Sequence, residues 1–136
     1  MTVPKHTNFL IVDDFYSIRK AVKVSLTNLG FYGEIFEADS VNRAKELISL
    51  KQSEAPVEFI ISDLDMPEEN GIEFLKFIRS SDHFGHLPFL MLSGVNTKDH
   101  ILDAISHGVS SYLLKPWDDK SISHKIESCW LKHGSR

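Results

Sequence analysis

The sequence predicts an α/β fold, a doubly wound five-stranded parallel sheet flanked by five helices. Short apolar runs alternate along the chain with segments whose apolar residues recur at helical spacing. Four of the runs do not alternate polar with apolar residues, which is typical of strands buried on both faces. Five such strand–helix units within 136 residues imply a sheet covered by helices.

Five segments are predicted as strands. In chain order they are Phe9–Val12, Glu34–Ala38, Phe59–Ile61, Leu87–Leu92 and Tyr112–Leu114. The second segment alternates polar and apolar residues, which predicts a strand at the sheet edge. The other four end at polar pairs, namely Asp13-Asp14, Ser62-Asp63, Ser93-Gly94 and Lys115-Pro116.

Apolar residues at helical spacing predict one helix after each strand. Their faces are Ile18, Ala21, Val22, Leu26 and Leu29; Val41, Ala44, Leu47 and Ile48; Phe74, Leu75 and Ile78; Ile101, Leu102 and Ile105; Ile122, Ile126, Cys129 and Trp130. Gly30 is expected to adopt a left-handed backbone conformation just after the first helix, and Asp39-Ser40 are expected to cap the start of the second helix. The third helix is expected after Gly71 and the fourth after Asn96-Thr97. Residues 1–7 and 132–136 are expected to be loose ends.

Composition narrows the class of protein. The length suits one domain, and 15 Lys and Arg against 19 Asp and Glu give a net charge of -4 without a basic block. We therefore expect no direct contact with nucleic acid. The apolar runs are too short for membrane insertion, and residues 1–8 lack the apolar stretch of a signal peptide. One cysteine, Cys129, cannot form an internal disulfide, which fits a cytoplasmic protein.

Three carboxylates, a hydroxyl and an ammonium are expected to meet at one edge of the sheet. Ligands of parallel α/β sheets bind beyond the carboxyl ends of the strands. The residues placed there are Asp13, Asp14, Asp63, Ser93 and Lys115. Carboxylates this close repel one another unless a cation shares the site, and a set without His or Cys selects Mg²⁺, Mn²⁺ or Ca²⁺ over zinc.

A phosphoryl group suits the remaining side chains of this edge. A site with few carboxylates and open water positions suits Mg²⁺ that also holds a phosphate oxygen. Lys115 and Ser93 supply the cation and the hydroxyl donor that a phosphoryl group needs. A carboxylate can itself be the nucleophile and form an aspartyl-phosphate.

At these strand ends the chain resembles the receiver domain of bacterial two-component response regulators, most closely the stand-alone chemotaxis-regulator type. The matching motifs, in order, are Val12-Asp13-Asp14, Ser62-Asp63-Leu64-Asp65-Met66-Pro67 with Asn70-Gly71, Ser93-Gly94 and Lys115-Pro116. The resemblance covers about residues 8–131. It implies a flavodoxin-like sheet with strand order 2-1-3-4-5 and a single receiver domain over residues 1–136.

The resemblance also implies roles for the site residues. Asp63 would accept a phosphoryl group from a histidine kinase or phosphotransfer protein, and Lys115 would pair with the phosphoryl oxygens. Asp13, Asp14 and Asp63 would hold Mg²⁺, or Mn²⁺ in its place, with the backbone carbonyl of Asp65 as a further ligand. The chain would then be a signalling protein rather than an enzyme.

A conformational switch is implied as well. Ser93 would turn toward the phosphoryl group, and Tyr112 would swing inward with it. Together they would remodel the face of the fourth helix, fifth strand and fifth helix, where an unknown downstream protein docks. The peptide bond Lys115-Pro116 would be cis.

Two other functions stay open at this point. Asp63-Leu64-Asp65 also resembles the DxD motif of haloacid-dehalogenase-type phosphatases, in which Asp63 would attack phosphate and Asp65 would act as general acid and base. Pro67 stands where that family usually has Thr or Val. The third function is an interaction module with an inactive site. Val95, two residues past Ser93, is apolar where polar side chains often assist hydrolysis of the phosphoryl group.

Each of these residues also has a plain structural interpretation. Asp13-Asp14 could cap the first helix, and Asp63 could be a turn residue. Ser93 could be a loop residue without a signalling role, and Tyr112 could simply pack against its neighbours in a strand. A last pair, His83 and His86, lacks a third ligand nearby and is expected at the surface rather than at a metal.

Overall fold

A computed structural model describes residues 3–51, 55–94 and 98–134, and its strands form one parallel sheet. The strands are β1 (Phe9–Val12), β2 (Ile35–Ala38), β3 (Phe59–Asp63), β4 (Phe89–Ser93) and β5 (Ser111–Leu114). Their order is β2-β1-β3-β4-β5, and each neighbouring pair is parallel. The fold class and the strand order are confirmed, and β2 lies at an edge as its alternation predicted.

A helix follows every strand. The helices are α1 (Tyr16–Asn28), α2 (Val41–Lys51), α3 (Gly71–Arg79), α4 (Lys98–Ser106) and α5 (Asp119–Cys129), and a π-helical turn (Trp130–Gly134) continues the last one. Within the described ranges no helix combines the length and the apolar character needed to cross a bilayer.

The core consists of two layers, one on each face of the sheet. Leu10, Val12 and Ile60 belong to the layer that α2, α3 and α4 cover. Their neighbours along the strands, Phe9 and Ile11, belong to the layer that α1 and α5 cover. Successive strand residues point to opposite faces, so a strand buried on both faces must be apolar at every position. This explains the unbroken apolar runs that predicted β1, β3 and β4, which are buried throughout.

Side chains and glycines define the helix ends. The Asn70 side chain accepts the backbone N–H of Glu73, and the Glu73 side chain accepts that of Asn70, which is a reciprocal cap. Ser40 accepts the backbone N–H of Arg43 at the start of α2. Gly30 follows α1 with φ of +92°, the left-handed conformation that glycine adopts without steric cost.

Three predictions about burial and termini are wrong. The run Tyr112–Leu114 was predicted to be buried on both faces, but β5 lies at the edge of the sheet, where Tyr112 is half-buried and Leu114 is exposed. Leu102 and Ile105 are 52% and 58% exposed, and α4 packs through the smaller Ala104 instead. Helical spacing in α4 was compatible with either of two buried faces. The larger apolar side chains favoured the face that turned out to be exposed. The expected loose ends are ordered where the structure describes them, because Val3 is buried in the core and residues 130–134 are helical.

The loop between β3 and α3 contains a strained residue that provides a first test. Glu68 has φ of +67°, and a non-glycine residue in the left-handed region is disfavoured. Glu68→Asn should raise the free energy of unfolding by about 0.5–1 kcal/mol, because asparagine tolerates this conformation better. Urea unfolding measures the change. Glu34→Asn, in a loop with ordinary φ, is the control, and an equal gain there would contradict the explanation.

Candidate functional site

Sheet register brings the predicted residues together. Val12 pairs with Ser62, so Asp13 follows β1 beside Asp63 at the end of β3. Ser93 pairs with Leu114, so Lys115 emerges next to the end of β4, and its backbone N–H donates to the Ser93 carbonyl at 2.9 Å. The carboxyl edge of the sheet therefore collects these side chains, as the sequence predicted.

The centre of the site is an acidic cluster joined to one lysine. Asp13, Asp14 and Asp63 each place a carboxylate oxygen within 4.8 Å of the others. Lys115 Nζ lies 2.9 Å from Asp63 Oδ1 and 3.4 Å from Asp13 Oδ2. Asp13 and Asp63 are buried, so water screens this cluster poorly and its charges interact strongly.

Asp13 does not cap α1, the structural role that the sequence left open for it. Its Oδ1 accepts the backbone N–H of Phe15 at 2.9 Å, and Arg19 Nη1 donates to its backbone carbonyl at 2.8 Å. The N-cap of α1 is Phe15, which makes no side-chain cap. Asp13 therefore satisfies a backbone donor just before the helix while its other oxygen faces Lys115.

Burial sets the ionisation of the cluster. It raises the pKa of Asp63 from 3.8 to about 6 despite the opposing hydrogen bond from Lys115. The pKa of Asp13 is also raised, chiefly by burial and against the Phe15 and Lys115 hydrogen bonds. Burial alone would lower the pKa of Lys115, but its hydrogen bond and charge interaction with Asp63 raise it. Perturbed values of this kind are frequent at functional sites.

The donor set fits a hard divalent cation. Asp14 Oδ1 is buried and has no hydrogen-bond partner among the described residues, and a buried oxygen without a partner costs free energy. A cation shared with Asp13 and Asp63 would satisfy that oxygen and offset the repulsion among the carboxylates. All three donors are oxygens, the ligands that Mg²⁺ takes in proteins.

Ser93 and Tyr112 lie on the α4 side of the same edge. Ser93 is buried at the end of β4, and Tyr112 is half-buried in β5. Both line a cavity of about 10 Å³ together with Met91, Ile101 and Ala104. That volume is about the space of one water molecule.

Three further predictions concern the surroundings of the site. The Lys115-Pro116 peptide is cis, as predicted. Asp65 is exposed. Its own carboxylate does not belong to the three-acid cluster found among the described residues. Val95 lies outside the described residues.

The structure adds a reason for Gly71 that the sequence did not provide. A Cβ at this position would collide with the Asp63 carbonyl oxygen and the Met91 sulfur. The backbone of α3 therefore passes directly against the end of β3, and the Gly71 N–H donates to the Leu64 carbonyl at 2.9 Å. Asn70-Gly71 was recognised as a motif, but its close approach to Asp63 is a tertiary contact.

Residues 9–127 match the family of the response regulator receiver domain. Chemotaxis protein CheY-3 of Vibrio cholerae is 36% identical over 123 residues, which are 90% of this chain and 91% of that protein. Chemotaxis protein CheY of Pseudomonas aeruginosa is 34% identical over 118 residues, or 87% and 91% of the two chains. The solved structure of chemotaxis response regulator CheY4 of Vibrio cholerae superposes with a TM-score of 0.76 at 28% identity, over 90% of this chain and 98% of that one.

The fold and the acidic edge define a phosphoacceptor receiver domain of two-component signalling. The chain belongs to the response regulator receiver-domain family and is similar to chemotaxis regulators. Receiver domains are signalling proteins that interact with histidine kinases or phosphotransfer proteins and with downstream targets. The phosphatase alternative based on Asp63 and Asp65 is not favoured.

The buried cluster predicts how stability depends on pH in the absence of metal. The folded pKa of Asp63 lies near 6 and its ordinary value is 3.8, so the folded state binds the extra proton between these limits. Stability then falls as pH rises through this window. In EDTA, Asp63→Asn should raise the free energy of unfolding by about 1–3 kcal/mol at neutral pH, and the gain should vanish below about pH 4.

Thermal or urea unfolding across this pH range measures the effect. Asp65→Asn is the matched control, because Asp65 is exposed and its removal should leave the pH profile unchanged. A gain for Asp63→Asn that is the same at every pH would contradict the assignment to ionisation.

Proposed function

We propose that Asp63 accepts the phosphoryl group from a histidine kinase or phosphotransfer protein. A carboxylate oxygen of Asp63 attacks phosphorus, an O–P bond forms, and the N–P bond of the phosphohistidine breaks. The imidazole leaves with the bonding electrons and takes a proton from solvent. The contact between Lys115 Nζ and Asp63 Oδ1 at 2.9 Å is the observation that carries this proposal, because it places a cation beside the carboxylate that would attack phosphorus.

Asp13, Asp14 and Asp63 would hold Mg²⁺, with the backbone carbonyl of Asp65 as a further ligand. When bound, the metal ion supplies positive charge to the oxygens of the transferring group. Lys115 then pairs with a phosphoryl oxygen as a second cation. The raised pKa of Asp63 describes the cluster without metal, and a divalent cation would favour the ionised nucleophile.

Ser93 and Tyr112 would couple the phosphoryl group to a distant face. The phosphoryl group adds about -1.5 to -2 charges, and Ser93 would turn toward it to donate a hydrogen bond. Conversion from a mostly inactive to a mostly active population needs about 5 kcal/mol of differential stabilisation. Two charge-assisted hydrogen bonds, from Ser93 and Lys115, together with repacking of Tyr112 would supply that energy.

The face formed by α4, β5 and α5 would receive the downstream protein. Leu102 and Ile105 on α4 and Leu114 on β5 are exposed apolar side chains, which the packing of the domain itself does not require. Lys125 of α5 lies 5.5 Å from the centre of the Tyr112 ring, so movement of Tyr112 would change this face. The proposed compartment is the cytoplasm, which the free buried Cys129 supports.

Phosphorylation by acetyl phosphate in Mg²⁺ tests the nucleophile. Wild-type protein should become labelled at a single aspartate, and Asp63→Asn should lose the label because it removes the attacking oxygen. Chelation of Mg²⁺ should abolish labelling as well. Intact-protein mass spectrometry measures the stoichiometry.

Asp65→Asn is the matched control, with the same substitution two residues away. It should keep the label, and turnover of a small phosphate ester should stay absent in both variants. Labelling of Asp63→Asn at the wild-type rate would refute the proposal. Sustained ester turnover that depends on Asp65 would instead support a phosphatase.

The switch is tested by Ser93→Ala. This variant should still be labelled, but the NMR resonances of Tyr112 and α5 should fail to shift on addition of beryllium fluoride with Mg²⁺. Ser93→Thr, which keeps the hydroxyl, should restore the shift. Equal shifts in wild type and Ser93→Ala would show that the hydroxyl does not transmit the signal.

A further inference from the structure

One contact joins helix α1 to the loop that carries Lys115. The indole Nε1 of Trp117 donates to Ser25 Oγ at 3.0 Å. Ser25 is a buried residue of α1, and Trp117 stands two residues past Lys115. The ring packs against the same core layer as α1 and α5.

The outer side of this loop has little protein support. Trp117, Lys115 and Pro116 line an open groove of about 660 Å³ between the loop and α1, which also exposes Val24. Packing therefore restrains the indole from the core side only. In such a setting the hydrogen bond to Ser25 selects one orientation of the ring and with it the position of the loop.

The segment that ends at Trp117 begins with Lys115, which is held from the side of the sheet. The Lys115 N–H donates to the Ser93 carbonyl, and its ammonium reaches Asp63 and Asp13. The backbone at Lys115 is thus fixed by β4 before the residue and by Trp117 after it. An error of about 1 Å in the ammonium position is costly for a group that must meet a phosphoryl oxygen.

We infer that Trp117 is a positioning residue for Lys115, acting through its hydrogen bond to Ser25. The inference rests on the proposed phosphoacceptor function and goes beyond it, because Trp117 touches neither the carboxylates nor the phosphoryl group. The indole keeps the loop against α1 so that the ammonium is ready beside Asp63 before the donor arrives. Lys115 is the residue that would contact the phosphoryl group, and Trp117 acts only through it.

Trp117→Phe tests the hydrogen bond while keeping an aromatic ring. A lost hydrogen bond corresponds to about a two- to tenfold slower labelling of Asp63 by acetyl phosphate at saturating Mg²⁺. Mg²⁺ affinity, measured by calorimetry, should stay unchanged because the three aspartates are intact. Ser25→Ala removes the acceptor and should give the same reduction, and the double variant should be no slower than either single variant.

Asn28→Ala is the matched control. The Asn28 side chain donates to Asp119 at 3.1 Å, so it joins α1 to the first residue of α5 rather than to the segment from Lys115 to Trp117. This variant should label at the wild-type rate even if its melting temperature falls. A wild-type rate in Trp117→Phe, or slowing of all variants in proportion to lost stability, would overturn the inference. Absence of labelling in the wild type would instead overturn the proposed phosphoacceptor.

Discussion

The repulsion among three aspartates, balanced by one lysine, is the constraint on which the rest of this structure depends. Asp13, Asp14 and Asp63 hold oxygens within 4.8 Å of one another, and among the described residues Lys115 is the cation at hydrogen-bond distance to two of them. Such a cluster costs stability unless further positive charge arrives. A divalent cation at this cluster would offset that repulsion and would supply positive charge for an anionic phosphoryl group.

The packing of the sheet holds these aspartates close together despite their repulsion. β1 and β3 are adjacent and in register, and both are buried at every position. Strands fixed by core packing on both faces cannot shift to relieve repulsion at their ends without exposing apolar side chains. The close passage of Gly71 against the Asp63 carbonyl restrains the third strand end further. A rigid scaffold thus holds a strained site, as enzymes and binding sites often require.

The parts expected to move lie on the other side of this site. α4 reaches the core through Ala104 and exposes Leu102 and Ile105, so its attachment is weaker than that of a helix with large buried side chains. The small cavity beside Ser93 and Tyr112 is lined by Ile101 and Ala104 of the same helix. By contrast, the loop at Lys115 is joined to α1 through Trp117. The domain therefore combines a firmly held acidic edge with a more loosely packed α4.

The sequence by itself determined the fold class, the strands and the five site residues at the carboxyl edge, because unbroken apolar runs and the polar residues that end them report burial and strand direction directly. The strand order came from the resemblance to receiver domains rather than from periodicity. Tertiary structure alone decided that α4 packs on Ala104, that Val3 and residues 130–134 are ordered, and that Trp117 meets Ser25. Those outcomes depend on contacts between residues distant in sequence, and local spacing carries no record of which of two apolar faces, or which distant partner, the folded chain will choose.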